Sequence, residues 1–322
     1  MDEFSLIKQF FEQPNAAADK DNLHLLKGIG DDCAVLRVPD GKDLVFSLDT
    51  LVEGVHFPHN ADAAELAWRL LGAAVSDLAA MGAQPNNFTL ALTLPSLDQN
   101  WLQRFSENLA QAASQYHITL AGGDTTKGPL TLSAQVQGFV DRDQALLRNA
   151  AKLGDLVCVT GTLGDSRAGL SLLDKEQLNA AQHYLLERYY RPEPRVATGL
   201  IIKAFANACI DISDGLLADL GHILSQSQLG AKLLSDAIPM SSQMCDVAGD
   251  QALQWALSGG EDFELCFTIP KEAWPSMQQA LQGHHIKVSQ IGEIVEQTGI
   301  QLYQNNIWRP VEKAGFNHFQ TT

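Results

Sequence analysis

The chain has 322 residues, enough for two domains of ordinary size, each with its own core. Its 45% hydrophobic and 19% charged content exclude a disordered chain. A net charge of −16, from 38 acidic against 22 basic residues, excludes the basic footprint that nucleic-acid binding needs and disfavours anionic membranes. The acidic surplus reads either as plain solubility or as charge that bound metal neutralises.

Five cysteines (Cys33, Cys158, Cys209, Cys245 and Cys266) are scattered, odd in number and free of any Cys-x-x-Cys pair. That pattern argues against a disulfide framework or a zinc site and for a reducing compartment. The acidic start, Met1-Asp2-Glu3-Phe4, lacks the basic opening of a signal peptide. No apolar run approaches the roughly 18 residues that a membrane span requires. A cytoplasmic protein without nucleic-acid or membrane partners is expected.

In chain order, residues 43–48 predict a strand that feeds the Asp49 block, and 63–81 a helix apolar almost all round and therefore buried. Phe88 to Leu94 predicts a strand stopped by Pro95. Asp98 is placed to cap a helix with Trp101, Phe105 and Leu109 on one face. Strands near 117–121 and 130–140 follow. After Arg148 the texture changes, and a boundary near 148–154 divides an N-terminal domain, 1–150, from a C-terminal domain, 151–322. The second half predicts a strand at 156–160 and a helical region over 167–207 broken at Pro192 and Pro194. A short strand then ends in the 211–215 block, with Asp214 at a helix N-cap position. Strands near 231–235, 265–269 and 287–294 alternate with a helix at 271–282. The fold class is α/β (α+β): a mixed N-terminal sheet covered by helices and a C-terminal α/β domain.

Six short blocks place an acid beside glycine or serine: Gly30-Asp31-Asp32, Ser47-Leu48-Asp49-Thr50, Ser76-Asp77-Leu78, Gly122-Gly123-Asp124-Thr125, Asp211-Ile212-Ser213-Asp214-Gly215 and Gly259-Gly260-Glu261-Asp262. Acids beside flexible or hydroxylated residues suit a hard cation that takes oxygen ligands, such as Mg²⁺. Asp77 is the most telling, since a carboxylate in a helix apolar on its other faces must find a partner. It is either a metal ligand or a helix-end group bonded to a backbone amide. Gly28-Ile29-Gly30-Asp31-Asp32-Cys33 resembles the start of a dinucleotide fingerprint but lacks its third glycine, and alone it reads as well as a surface turn. Gly122-Gly123-Asp124 is either a plain turn or a place where backbone amides approach a phosphate. Asp214 caps a helix, ligates a metal, or does both. Arg148 pairs on the surface or reaches a phosphate, His56 and His222 stand isolated, and Phe316 is core or stacks on a flat ring. A P-loop, a Gly-x-Ser-x-Gly elbow and a His-Glu-x-x-His pair are all absent, which leaves an acid-rich site without an evident nucleophile.

Taken together and in order, these blocks resemble the thiamine-monophosphate kinase family over essentially the whole chain. The matches include Asp49-Thr50-Leu51-Val52-Glu53-Gly54-Val55-His56-Phe57, Ser76-Asp77-Leu78-Ala79-Ala80-Met81-Gly82-Ala83 and Ser258-Gly259-Gly260-Glu261-Asp262. Two of these blocks recur loosely among aminoimidazole ribonucleotide synthetase, selenophosphate synthetase and a hydrogenase maturation protein, so they mark the superfamily more firmly than the substrate. The resemblance implies a homodimer that pairs through its N-terminal sheets, and ATP-dependent phosphorylation of thiamine monophosphate to thiamine diphosphate. It implies that Asp32, Ser47, Leu48, Asp49, Asp77, Asp124, Asp211 and Asp214 hold several Mg²⁺ ions, with Asp77, Asp124 and Asp214 catalytic. It implies ATP contacts from Gly123, Asp124, Arg148 and Ser213, and a substrate pocket shaped by His56, Glu261 and Phe316. Asp31 matches the motif without a defined role. Family members commonly carry threonine at the position of Leu48, and leucine offers only its carbonyl oxygen there. Two rival readings stay open: a superfamily relative acting on another acceptor, and a sensor that binds Mg·ATP without consuming it.

Overall fold

The computed structural model describes residues 3–12, 22–284 and 286–311. The chain divides into two compact units, Met1–Leu78 with Ala83–Gln144, and Ala79–Gly82 with Ala145–Thr322.

The first unit opens with a short helix, α1 (Glu3–Ile7), that runs on as a π-helical turn, Lys8–Glu12, burying Phe10 and Phe11. A small hairpin, β1 (Leu25–Lys27) and β2 (Val35–Leu36), precedes the main sheet. That sheet comprises β3 (Lys42–Val52), β4 (Gln84–Leu94), β5 (Thr119–Lys127) and β6 (Thr131–Asp141), in the order β3-β6-β4-β5. The β3–β6 and β6–β4 pairs are antiparallel and β4–β5 is parallel, so the sheet is mixed. Side chains alternate between its faces. Leu132, Ala134 and Val136 of β6 are fully buried, while Ser133, Gln135 and Gln137 between them are part-exposed.

Helix α2 (Ala63–Ala80) buries Leu66, Leu70, Leu71, Val75 and Leu78 completely, as an all-round apolar sequence requires. Helix α3 (Gln99–Gln115) starts where expected, because Asp98 accepts the N–H groups of Asn100 and Trp101. It buries Leu102, Phe105 and Leu109.

The second unit is built on a seven-stranded sheet: β7 (Leu156–Thr160), β8 (Ala208–Asp211), β9 (Gly230–Leu234), β10 (Leu265–Ile269), β11 (Val288–Val295), β12 (Gly299–Gln304) and β13 (Ile307–Val311). The order is β13-β12-β9-β11-β7-β10-β8, antiparallel except for β9–β12. Every residue of β7 and β10 is buried, which marks a sheet covered on both faces. One face packs Val157, Val159, Ile210 and Cys266 against Leu216 and Leu220 of α7 (Leu216–Ser227). The other packs Cys158, Cys209 and Phe267 against Ile202 and Met277. The helical stretch before β8 resolves into α4 (Asp165–Leu170), α5 (Ala180–Tyr190) and α6 (Val196–Ile202), broken around Pro192 and Pro194. Helices α8 (Ser242–Ala248), α9 (Ala252–Ser258) and α10 (Trp274–Ala280) complete the unit. Among the described residues no helix is long and apolar enough to cross a membrane.

One expectation is corrected. Asp214 is not the N-cap of α7; Gly215 takes that position with φ 115°, and the orphan amides of the turn are satisfied from inside the helix by Asp219.

Candidate active site

In the first unit, strand β3 sets Ser47 beside Val136 and Asp49 beside Ala134. Both partners are fully buried, so Ser47 and Asp49 stand on the helix-covered face. There the Ser47 hydroxyl donates to the Asp77 carboxylate of α2. Burial, with the charge of Asp77 added, pushes the Asp49 carboxyl up to about 7. Two carboxylates and a hydroxyl thus crowd together, and their mutual repulsion is what a hard divalent cation relieves. The all-oxygen donor set fits Mg²⁺.

Other expected residues lie elsewhere in this unit. Leu48 points to the opposite face and is 62% exposed. Asp124 pairs with Ala91, in the row of Ser133 and Thr50, and is exposed on that same face. Asp31 and Asp32 occupy the exposed loop between β1 and β2, where Asp31 accepts the N–H of Asp32 and lies 3.8 Å from Lys27. At Gly123 a Cβ would meet the Leu90 carbonyl oxygen at 1.9 Å, so glycine is demanded by the close approach of β4 and β5. Gly122 has open space around it. The ring of His56 accepts the Val52 N–H through Nδ1 at 2.9 Å, which leaves Nε2 of the neutral ring as the N–H donor. The carbonyl of His56 accepts from the buried guanidinium of Arg69 at 3.3 Å.

In the second unit, Asp211 ends β8 and is 4% exposed. The Ser213-Asp214-Gly215 turn follows, its three amide N–H groups converging on one oxygen of Asp219, at 3.0, 3.0 and 3.1 Å. Burial outweighs those amides and, with the charge of Asp214, pushes Asp219 up to about 7. On its other side the turn is bonded to the 259–263 loop: the Glu261 N–H donates to the Ser213 carbonyl at 2.7 Å and the Phe263 N–H to the Ile212 carbonyl at 2.9 Å. Glu261 and Phe263 take left-handed backbone, φ 59° and 51°. Arg148 is exposed. Asp214, Asp219 and His222 have acid or imidazole atoms all within 4.8 Å of one another.

Beneath these loops runs a buried polar network. Asp262 accepts the N–H groups of Gly164 and Ser166, at 2.7 and 3.1 Å, and burial pushes its carboxyl up to about 7. Glu264, fully buried, accepts from Arg188 (2.9 Å), Arg195 (2.5 and 2.7 Å) and the Thr160 hydroxyl (2.6 Å). Burial alone would raise the Glu264 carboxyl, but the hydrogen bonds from Arg195 and the charges of Arg195 and Arg188 hold it below the usual range.

The family models for AIR synthase related protein match both halves, the N-terminal domain at residues 30–140 and the C-terminal domain at 152–305. The chain is 44% identical to thiamine-monophosphate kinase of Haemophilus influenzae, over 99% of this chain and 98% of the relative. The chain belongs to the thiamine-monophosphate kinase family. Its fold is similar to the crystal structure of that kinase from Stenotrophomonas maltophilia, with a TM-score of 0.86, 41% identity and coverage of 94% of this chain and 96% of the other. It is also similar to AaThiL complexed with AMPPCP and TMP, with a TM-score of 0.79, 34% identity and coverage of 98% and 97%.

Sequence reading missed Asp219, placed Asp262 in an acidic block without a role of its own, and gave Glu264, Arg188 and Arg195 no part. Asp219 left a readable signal, an acid in the first turn of a helix that begins at glycine. The network left none, because its members are scattered over 104 positions of chain, from Thr160 to Glu264. Phe316 lies outside the described residues.

Proposed function

We propose that this protein transfers the γ-phosphoryl group of ATP to thiamine monophosphate, giving thiamine diphosphate and ADP, the last step of thiamine diphosphate biosynthesis. The observation that carries the reading is the near full-length relationship to kinases of this name, one solved with AMPPCP and TMP. The Ser47, Asp49 and Asp77 cluster supports it, since a polyphosphate site of this kind needs gathered oxygen donors.

The acceptor is a phosphate already ionised at neutral pH, so no strong general base is required. The obstacle is electrostatic: unit charges ~4 Å apart repel by about 4 kcal/mol at an effective dielectric of ~20, and several such pairs arise. Asp32, Ser47, the Leu48 carbonyl, Asp49, Asp77, Asp124, Asp211 and Asp214 would hold Mg²⁺. When bound, those ions would neutralise phosphate charge and that of the leaving ADP. Arg148, Gly123 and the Ser213 hydroxyl bind the nucleotide. Glu261 and the Nε2–H of His56 orient thiamine monophosphate, with Phe316 against its ring. Holding donor and acceptor in line is then the main work of the chain, and direct transfer explains why no nucleophile motif is present.

The protein acts as a cytoplasmic homodimer without nucleic-acid partners, in keeping with its net charge of −16. The sheet face that carries Leu44, Phe46 and Leu48, exposed by 41%, 64% and 62%, is the pairing surface. Phe46→Glu should convert the dimer to monomer in sedimentation; an unchanged sedimentation coefficient would rule this face out.

The experiment for the activity is a product assay with purified protein, Mg·ATP and thiamine monophosphate, reading thiamine diphosphate by fluorescence after oxidation. Product that disappears on adding EDTA is the expected result. Folded, ATP-binding protein that makes none would overturn the reading.

A further inference from the structure

The turn that follows β8 has the backbone of an anion-binding nest: three consecutive amide N–H groups point at one place. In many nucleotide sites such a nest receives a phosphate. Here the place is taken. The Asp219 carboxylate, 2% exposed, accepts the amides of Ser213, Asp214 and Gly215 through a single oxygen. With the Ser213 and Asp214 amides turned inward, the carbonyls of the same two peptide units, Ile212 and Ser213, accept from the Phe263 and Glu261 amides. The turn requires glycine at 215, where φ is 115° and a Cβ would lie 2.9 Å from the Ser258 backbone.

We propose that Asp219 is a positioning residue for nucleotide binding: it fills the nest in place of a phosphate and fixes the Ser213 hydroxyl and Asp214 carboxylate for Mg·ATP. Two consequences follow. The 213–215 amides are not phosphate ligands, so this loop grips the nucleotide through side chains and the metal they hold. The Ser213 and Asp214 side chains keep their direction only while the internal carboxylate is present. Three amide hydrogen bonds on one carboxyl oxygen, each costly to leave unmade once buried, set the turn firmly. The proposal rests on reading Ser213 and Asp214 as nucleotide-facing and metal-facing groups.

The test compares Asp219→Asn and Asp219→Ala with the wild-type chain, using binding of Mg·AMPPCP by calorimetry and steady-state kinetics with ATP and thiamine monophosphate varied separately. Asparagine keeps one acceptor oxygen but no charge, and alanine removes both. The expected order is a Kd for Mg·AMPPCP weakened about tenfold or more in Asp219→Ala and less in Asp219→Asn, with thermal unfolding still cooperative. KM for ATP should rise in parallel and by a larger factor than KM for thiamine monophosphate. Folded Asp219→Ala with wild-type nucleotide affinity would overturn the proposal, as would equal losses for the two substrates. If Asp219→Ala does not fold, unchanged nucleotide affinity in Asp219→Asn does the same. A wild-type chain that binds Mg·AMPPCP but makes no thiamine diphosphate would refute the proposed reaction while leaving the binding comparison decisive for Asp219. A wild-type chain that binds no nucleotide would overturn both.

Discussion

The amide of Glu261 donates to the carbonyl of Ser213 across 2.7 Å, joining a residue proposed to contact the substrate directly to one proposed to contact the nucleotide. The two loops are therefore one piece of backbone scaffolding, and a disturbance in one reaches the other without passing through either ligand.

Gly260 is the place to show this. It has φ 68°, and a Cβ there would sit 2.7 Å from the Ser213 carbonyl oxygen. Gly260→Ala should raise KM for ATP and for thiamine monophosphate together, each by about tenfold, as left-handed strain and the clash push the loops apart. Kinetics with each substrate varied in turn checks it; an effect on one KM alone would mean that the loops move independently.

Asp77→Asn and Asp124→Asn remove charge without removing volume. Each should lower kcat by about a hundredfold or more while circular dichroism and melting stay near wild type. Near-normal turnover in both at saturating Mg·ATP would refute their metal assignment.

Metal affinity should depend on pH through Asp49, whose carboxyl is raised to about 7 by burial and by Asp77. Below that value the metal-free site holds a proton that Mg²⁺ must displace. Affinity should then fall by about tenfold per pH unit from 7 toward 5 and level off above 7. Asp49→Asn should flatten this profile. Calorimetric titration of Mg²⁺ at several pH values measures it, and a flat wild-type profile would contradict the argument.

Glu264→Gln removes the buried carboxylate that Arg188 and Arg195 share, leaving Arg188 with Asp165 at 3.9 Å and Arg195 with the exposed Glu193 at 2.8 Å, and should cost about 3 kcal/mol of stability at neutral pH in urea unfolding. The sign of the pH effect follows from a carboxyl held below its ordinary value. Its stabilisation is complete above the unfolded pKa of 4.5 and disappears as pH drops through the lower folded value. The gap between wild type and variant should close in acid. A gap that is constant down to pH 3 would show that the charge of Glu264 is not what stabilises this network.

Elements with a strong period were legible. The all-round apolar run of α2, the cap at Asp98 and the β-branched run of β7 each form where local chemistry puts them. Helices α8 and α9 were not, since each has seven residues and Gly249 interrupts them before a stripe develops. The β12–β13 hairpin was missed although Asn305-Asn306, at φ 52° and 62°, is a readable two-residue turn. At the site, motif spacing picked out Asp49 and Asp77, which the fold brings together with Ser47, and it picked out Asp262 without showing what that residue bonds to. Asp219 and Asp262 bond to backbone amides, and which amides an acid reaches is settled by the fold, not by motif spacing. The split of β3 into a Ser47/Asp49 face and a Leu48 face was implicit in strand alternation alone.

The turn after β8 is held by Asp219 from below and by the 259–263 loop from the side, and that loop is pinned in turn by Asp262 to Gly164 and Ser166. Under the proposed reading, nucleotide arriving at this surface has little chain to freeze. Its binding should carry the small heat-capacity change of a ligand meeting a finished template, not that of a coupled folding reaction.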